Sequence, residues 1–374
     1  MNNGYHIIDA DGHVAEVTDV WLPEPFLDPE YKDRAPRFVG NIRDCNRFLL
    51  EGHVHPKPEG KGCWIHGPIE GDTTSAGRPK GTYDPHARIS DLDLEGIDVA
   101  VNFGAMIGMG CGRVQHPGLA VALARAYNDW VASHCNAYPK RLKAAAAMPM
   151  VDVEGAVVEL ERGVTKLGLV GPSTPPNSHG RNLDNVQFYP IYETCVRLDV
   201  PVLVHMAAAG HGGIDAAGAE RFDAYFYTHA MGFTFELMTA FMCLTAGGVL
   251  DAFPKLRVAF LEAGCGWLPY WAERLDGHYE KLHAQVKAQR APGEYLKGDQ
   301  LFITCEPDEE ILDRVVEEVG EDRILYASDY WHWDSKFPHT VEPILSRKDL
   351  TDTAKRKILG ENAARLYKLN GHGK

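Results

Sequence analysis

An acidic residue, a spacer and a histidine close the apolar run Ile7-Ile8-Asp9-Ala10-Asp11-Gly12-His13. In a regular strand successive side chains alternate faces, so Asp9, Asp11 and His13 would share one side, and two of them could reach a cation held over the strand end. Carboxylate oxygen and imidazole nitrogen together suit a divalent ion, and zinc, iron, manganese and cobalt all accept the mixture. Further donors must come from elsewhere in the chain. The candidates are His205, Glu262, Glu306 and Asp329, each at or just past the end of an apolar stretch.

Those stretches alternate with helical patterns. Strands are expected at Val99-Phe103, Leu142-Met148, Gly168-Gly171, Val200-His205, Leu256-Glu262, Leu301-Thr304 and Ile324-Ala327, after the opening strand. Helices are expected at 89–96, 118–138, 153–166, 188–198, 233–253, 267–289, 308–319 and 353–369. Eight strands, each followed by a helix, imply parallel βαβ units closing into an α/β (β/α)8 TIM barrel, read here as one domain over residues 1–374. An open doubly wound sheet competes, but no Gly-x-Gly-x-x-Gly follows the first strand. The Pro-, Gly- and Asp-rich stretch 15–85 is too long for a simple connection and reads as an insertion over the barrel mouth, with short strands near Arg47-Leu50 and helical pieces near Trp21-Phe26. His53-Val54-His55 within it reads as a polar edge or loop pair rather than a ligand pair.

In such a barrel the C-terminal ends of all strands face one mouth, so Asp11, His13, His205, Glu262, Glu306 and Asp329 converge. Each has a structural reading by itself: His205 as a satisfied core histidine, Asp329 as a helix cap, Glu262 as an ion-pair partner. Their coincidence at one end of strands distant in sequence favours a metal site.

The 374 residues are 45% hydrophobic, enough for a large core, and the net charge of -14 without any basic cluster argues against nucleic-acid or anionic-membrane partners. No signal peptide is visible in the first eleven residues and no apolar run is long enough to cross a bilayer, so a cytoplasmic setting is expected. Eight cysteines without a Cys-x-x-Cys pair read as reduced, mostly buried thiols.

Five segments together resemble the amidohydrolase family 2 branch of the amidohydrolase superfamily, the group containing aminocarboxymuconate-semialdehyde decarboxylase. They are Ile8-Asp9-Ala10-Asp11-Gly12-His13, Leu203-Val204-His205, the run from Gly247 to Val258, the run from Leu261 to Pro269, and Ser328-Asp329-Tyr330. The resemblance implies that Asp11, His13, His205 and Asp329 hold the metal, and that the chain forms a homodimer. It departs at the sixth strand: decarboxylases of the group carry a histidine there, and this chain has Glu262-Ala263-Gly264. Glu262 could help hold a second cation, with His229 or His332 as further donors, or could orient a ligand.

A metal with an open position activates water and polarises a carbonyl. The leading expectation is therefore a metal-dependent hydrolase acting on an amide, ester, thioester or lactone, with Asp329 as proton acceptor and Glu262 and His205 completing the catalytic set. Trp267, Tyr330, Trp331 and Trp333 suggest an apolar or aromatic acyl group, although structural packing explains them equally well. The alternative is non-oxidative decarboxylation, with Asp329 protonating the carbon and Arg78, Arg88 or Arg113 anchoring the substrate carboxylate. A third reading is a barrel that only binds ligand.

Overall fold

The computed structural model describes residues 4–16, 20, 26–42, 45–55, 79–105, 107–111, 114–206 and 216–369. The expected barrel is present. Its strands are β1 (Ile8–Val14), β5 (Val99–Gly104), the broken pair β6 (Leu142–Ala144) and β7 (Ala146–Ala147), β8 (Pro172–Thr174), β11 (Val202–His205), β12 (Val258–Leu261), β13 (Leu301–Cys305) and β14 (Ile324–Tyr326). All pair in parallel, in the orders β1-β5-β6 and β7-β8-β11-β12-β13-β14. The ring closes where the chain leaves β14: the Asp329 amide donates to the Asp11 carbonyl at 3.0 Å, and Ser328 donates its amide and hydroxyl to Asp9 at 2.9 and 2.6 Å.

Between residues 15 and 85 the described part includes short 3-10 turns at Pro29–Arg34 and Lys80–Thr82 and a small antiparallel sheet of β2 (Arg37–Ile42), β3 (Cys45–Leu50) and β4 (His53–His55). His55 is buried with its ring stacked on Phe48. The helical expectation at Trp21-Phe26 lies almost wholly outside the described residues. A two-stranded ribbon, β9 (Asn177–Ser178) and β10 (Arg181–Asn182), follows β8.

Helices cover the outside: α1 (Pro85–Glu95), the short α2 (Ile107–Gly110), α3 (Pro117–Asn136), α4 (Val153–Leu167), α5 (Tyr189–Leu198), α6 (Tyr225–Thr245), α7 (Val249–Ala252), α8 (Trp267–Leu282), α9 (Leu312–Val319), α10 (Val341–Ser346), α11 (Asp352–Arg356) and α12 (Asn362–Tyr367). Asp84 and Asp152 cap α1 and α4 through their side chains, and Gly96 and Gly168 end those helices in the left-handed conformation. Gly168-Gly171, expected as a strand, is instead the exit from α4. The strand begins one residue later, at Pro172, where a missing N–H costs no ladder bond. Among the described residues no helix is long and apolar enough to cross a membrane, and Cys111, Cys135, Cys195, Cys243, Cys265 and Cys305 are buried free thiols.

Two apolar layers result. Ile8, Ala10, Val101, Phe103, Leu203, Leu261, Phe302 and Leu325 fill the barrel, while Ile7, Val14, Val202, Val204, Val258, Phe260 and Ile303 face the helices. The first strand breaks its own alternation. Its pairing with β5 steps from Asp9–Ala100 to Gly12–Asn102, one extra residue on the β1 side, which is a β-bulge. Ile8 and Ala10 point inward before it, and Asp11 and His13 point inward after it. Asp9, expected on the ligand face, is turned out to Ser328. Gly12 faces out as well, where a Cβ would lie 2.6 Å from the Arg88 guanidinium and 2.7 Å from the Asp9 carboxylate.

The bulge frees the Ala10 carbonyl from the ladder, and Tyr367 of α12 donates its buried hydroxyl to it at 2.8 Å. Tyr367→Phe leaves that carbonyl without its partner and is expected to lower the unfolding free energy by about 1–3 kcal/mol, read from denaturant melts. An unchanged midpoint would mean that the bulge does not depend on this bond.

Candidate metal centre

Four strand ends bring the ligand-type residues together. His13 Nε2 lies 3.7 Å from Asp11 Oδ1 and 3.1 Å from Asp329 Oδ1. His205 Nε2 lies 3.2 Å from Asp11 Oδ2 and 3.4 Å from Glu262 Oε2. His332 Nδ1 lies 2.6 Å from Asp329 Oδ1. Two trios, Asp11–His13–His205 and His13–Asp329–His332, each have donor atoms within 4.8 Å of one another. They share His13, so they outline one compact centre.

Asp11, His13 and His205 are fully buried, yet Asp11 Oδ1, both His13 nitrogens, His205 Nε2, Glu262 Oε2 and Asp329 Oδ1 make no hydrogen bond of acceptable geometry. Buried polar atoms are rarely left so. Close approach without hydrogen-bond geometry is what lone pairs aimed at one cation produce. His205 supports this: its Nδ1 donates to the Met206 carbonyl at 2.7 Å, which leaves Nε2 bare and directed at the carboxylates. The donor set fits a divalent ion.

The backbone is forced at two of these strand ends. Glu262, Ala263 and Gly264 follow β12 with φ of 67°, 63° and 64°, and Asp329 and Trp331 follow β14 with φ of 46° and 73°. Left-handed geometry costs a non-glycine residue roughly 1–2 kcal/mol, so the surrounding contacts must hold it. For Glu262 one such contact is its amide, which donates to Thr304 Oγ1 at 2.9 Å.

Electrostatics divides the two carboxylates. Burial pushes the Asp329 carboxyl up, but His332 and His13 outweigh it and hold Asp329 below the usual carboxylate range. Glu262 is not offset in this way, and burial followed by the nearby Asp329 and Asp11 charges pushes it well above its ordinary value. Burial and the His332 charge lower His13 to about 4, keeping its imidazole neutral and ready to ligate.

Several expected contributors do other work. Arg88 is buried behind β1, where it donates to Asn102 Oδ1 at 3.1 Å and stacks 3.6 Å over the Tyr330 ring, so neither residue lines the mouth. Trp267 packs on Phe241 and Phe260 in the outer layer, with Nε1 donating to the Gly264 carbonyl. Trp331 lies beside His332, with ring centroids 5.5 Å apart. His229 joins neither ligand trio; its ring packs with Tyr225, Phe233 and Trp333 at 5.1, 4.5 and 5.4 Å. Tyr225 and Phe233, with Trp333 packed against them, belong to the same apolar cluster as the barrel interior and Met206, the residue after His205. Glu306 stands exposed just past β13, and Arg78 and Arg113 lie outside the described residues. Sequence reasoning missed Tyr225 and Phe233, which one turn of helix brings beside His229, and Tyr367, whose role depends on a bulge that no local pattern announces.

The family model described as "Amidohydrolase" matches residues 8–369. The chain belongs to the amidohydrolase family. It is 29% identical over 292 residues to the 2-amino-3-carboxymuconate-6-semialdehyde decarboxylase of Dictyostelium discoideum, covering 77% of each chain. It is 28% identical over 260 residues to the gamma-resorcylate decarboxylase of a Polaromonas strain, covering 66% of this chain and 76% of that protein. Among solved structures it matches 5-carboxyvanillate decarboxylase from Novosphingobium aromaticivorans, with bound manganese, at TM-score 0.73 and 21% identity over 98% of both chains. It also matches an amidohydrolase from Mycobacterium avium subsp. paratuberculosis at TM-score 0.76 and 19% identity, over 97% of this chain and 99% of that one. The chain is thus an enzyme of the amidohydrolase superfamily. The expected hydrolase is overturned: these curated relatives of the family member are decarboxylases, which favours the alternative reaction.

Burial works against a charge on His332, yet the Asp329 carboxylate outweighs it and raises the imidazole to about 9. In the metal-free protein His332 therefore stays protonated until the pH rises through about 9. Asp329→Asn removes the largest raising charge, leaving Asp334 and Asp11 against burial, and is expected to lower His332 from about 9, as followed by NMR titration of the ring protons. A titration unchanged by the substitution would assign the raised value to another group.

Proposed function

We propose that this member of the amidohydrolase family is a divalent-metal-dependent, non-oxidative decarboxylase of an aromatic or unsaturated carboxylic acid. The observation that carries the reading is the pairing of its buried, hydrogen-bond-starved donor cluster with relatives that are decarboxylases over most of the chain. Manganese is the proposed ion. The two carboxylates are hard donors that suit manganese, the two imidazoles are borderline donors that tolerate it, and a structural neighbour was solved with that metal.

When bound, the ion would hold the substrate carboxylate and an adjacent oxygen and draw electron density toward itself. The chain's residues supply the rest. Asp11, His13, His205 and Asp329 would be the ligands, with the Met206 carbonyl fixing the His205 tautomer. As the carbon–carboxylate bond breaks, its electron pair stays on the substrate carbon, carbon dioxide leaves and the carbon takes a proton. The His332–Asp329 pair stores that proton beside the centre and recovers one from solvent afterwards. This assigns the store to His332, with Asp329 as its anionic partner, in a site whose sixth strand offers Glu262 and no histidine. Tyr225, His229, Phe233 and Trp333 form a largely aromatic wall continuous with the barrel interior, which suits a flat, conjugated acid.

Manganese-loaded protein is expected to release carbon dioxide from hydroxybenzoates or muconate semialdehydes, to lose this activity on chelation and to regain it when manganese is restored. His332→Gln, which keeps a polar side chain without a titrating proton, should lower kcat by roughly 10²–10⁴-fold with metal content unchanged. Turnover of such acids without release of carbon dioxide, or full activity in His332→Gln, would refute the assignment.

A further inference from the structure

The strained turn after β12 closes around a carboxylate that is not one of the proposed ligands. Glu309 lies in the turn after β13, and both of its oxygens accept the Cys265 amide at 3.0 Å. It also accepts the Gly266 amide at 2.6 Å, the Cys265 thiol at 3.1 Å and the Glu306 amide at 3.3 Å. Successive amides presented by a left-handed segment form an anion-binding concavity, here directly ahead of the first turn of α8. The fit is close: a Cβ on Gly264 or Gly266 would lie 3.0 or 2.9 Å from Glu309 Oε1.

We propose that Glu309 is a positioning residue. Its carboxylate, seated on the Cys265 and Gly266 amides, holds Glu262, Ala263 and Gly264 left-handed, so that Glu262 is directed at the His205 side of the metal centre. The geometry has few alternatives. A chain leaving β12 with ordinary backbone angles would carry Glu262 away from His205 Nε2, now 3.4 Å from its Oε2. Thr304 anchors only the start of the turn, through the Glu262 amide, and Glu309 anchors its end. Because Glu309 also binds the amide of Glu306, the rims of the sixth and seventh barrel strands are tied into one unit. Glu309 does not touch the metal ligands and acts only through the backbone that carries Glu262.

The test is a double-mutant cycle between Glu309→Ala and Glu262→Ala. Its first measurement is the dissociation constant for manganese and for cobalt by calorimetry. With Glu262 present, Glu309→Ala is expected to weaken binding by roughly 10–100-fold, the scale seen when support of a ligand shell is removed. In the Glu262→Ala background it should add almost nothing, while the loss of thermal stability from Glu309→Ala stays the same in both. Should Glu309→Ala fail to fold, Glu309→Gln takes its place, retaining the shape and one acceptor oxygen while losing the charge. The second measurement is kcat and KM for carbon dioxide release, and only this arm rests on the decarboxylase reading: kcat is expected to fall in Glu309→Ala with KM little changed. Coupled metal affinities in a protein that decarboxylates no acid would uphold Glu309 and remove the proposed reaction. Metal affinities that respond to the two substitutions independently, or that ignore Glu309, would overturn the positioning role whatever the activity.

Discussion

One extra residue in the first strand decides whether there is a metal centre at all. With strict alternation, Asp11 and His13 would lie on the face opposite Ile8 and Ala10, toward the helices, and the inner face would carry no ligand from β1. The bulge between Asp9 and Gly12 reverses the parity once, so an apolar inner face gives way to a liganding one within four residues. Bulges cost ladder hydrogen bonds, and here groups from far along the chain bond to the bulged segment. Tyr367 donates to the Ala10 carbonyl, Ser328 donates to the displaced Asp9, and the Asp329 amide donates to Asp11. The last two bonds are also the seam that closes the barrel, so ring closure and ligand placement are one structural event.

Burial then imposes a charge problem. Asp11, Glu262 and Asp329 approach one another in a space where water is scarce, and like charges at low dielectric repel strongly. Without a cation the protein compensates locally: His332 is held protonated against Asp329, and burial with the neighbouring carboxylates raises Glu262 well above its ordinary value. A divalent ion held by Asp11, His13, His205 and Asp329 would supply positive charge fixed in position among these carboxylates. His332, which shares Asp329 Oδ1 with His13, is the group that the proposed reaction uses as its proton store.

Much of this architecture is legible in the sequence because it rests on short-range patterns. Alternating apolar strands and helices specify the barrel, and polar residues at strand ends specify the mouth, so Asp11, His13, His205, Glu262 and Asp329 are found without a structure. What alternation alone cannot supply is parity across a bulge, and Asp9 is misplaced for that reason. The aromatic candidates were ambiguous for a different cause. Trp267 and Tyr330 stand one or a few residues beyond strand ends, as mouth residues do, but a left-handed turn at each strand end rotates them into the outer layer, where Phe241, Phe260 and Arg88 receive them. Arg88 looked like a free cationic anchor because a sequence does not show that the helix carrying it lies against the back of β1.

The strained turns also explain how a family reaction could persist with a changed sixth strand. A histidine and a glutamate differ in reach and in charge, so a glutamate cannot inherit a histidine's part in proton transfer simply by occupying its place. On the proposed reading the two roles are separated in this chain. Glu262 brings a carboxylate to the His205 side of the centre, and His332, on the left-handed turn after β14, brings an imidazole to the Asp329 side. An imidazole held charged against a carboxylate at one strand end removes the need for one at another, and the sixth position is then free to carry negative charge toward the ion. On the proposed reading, the departure at the sixth strand is compatible with decarboxylation because the eighth strand supplies the imidazole that the sixth lacks, and the two turns must be understood together.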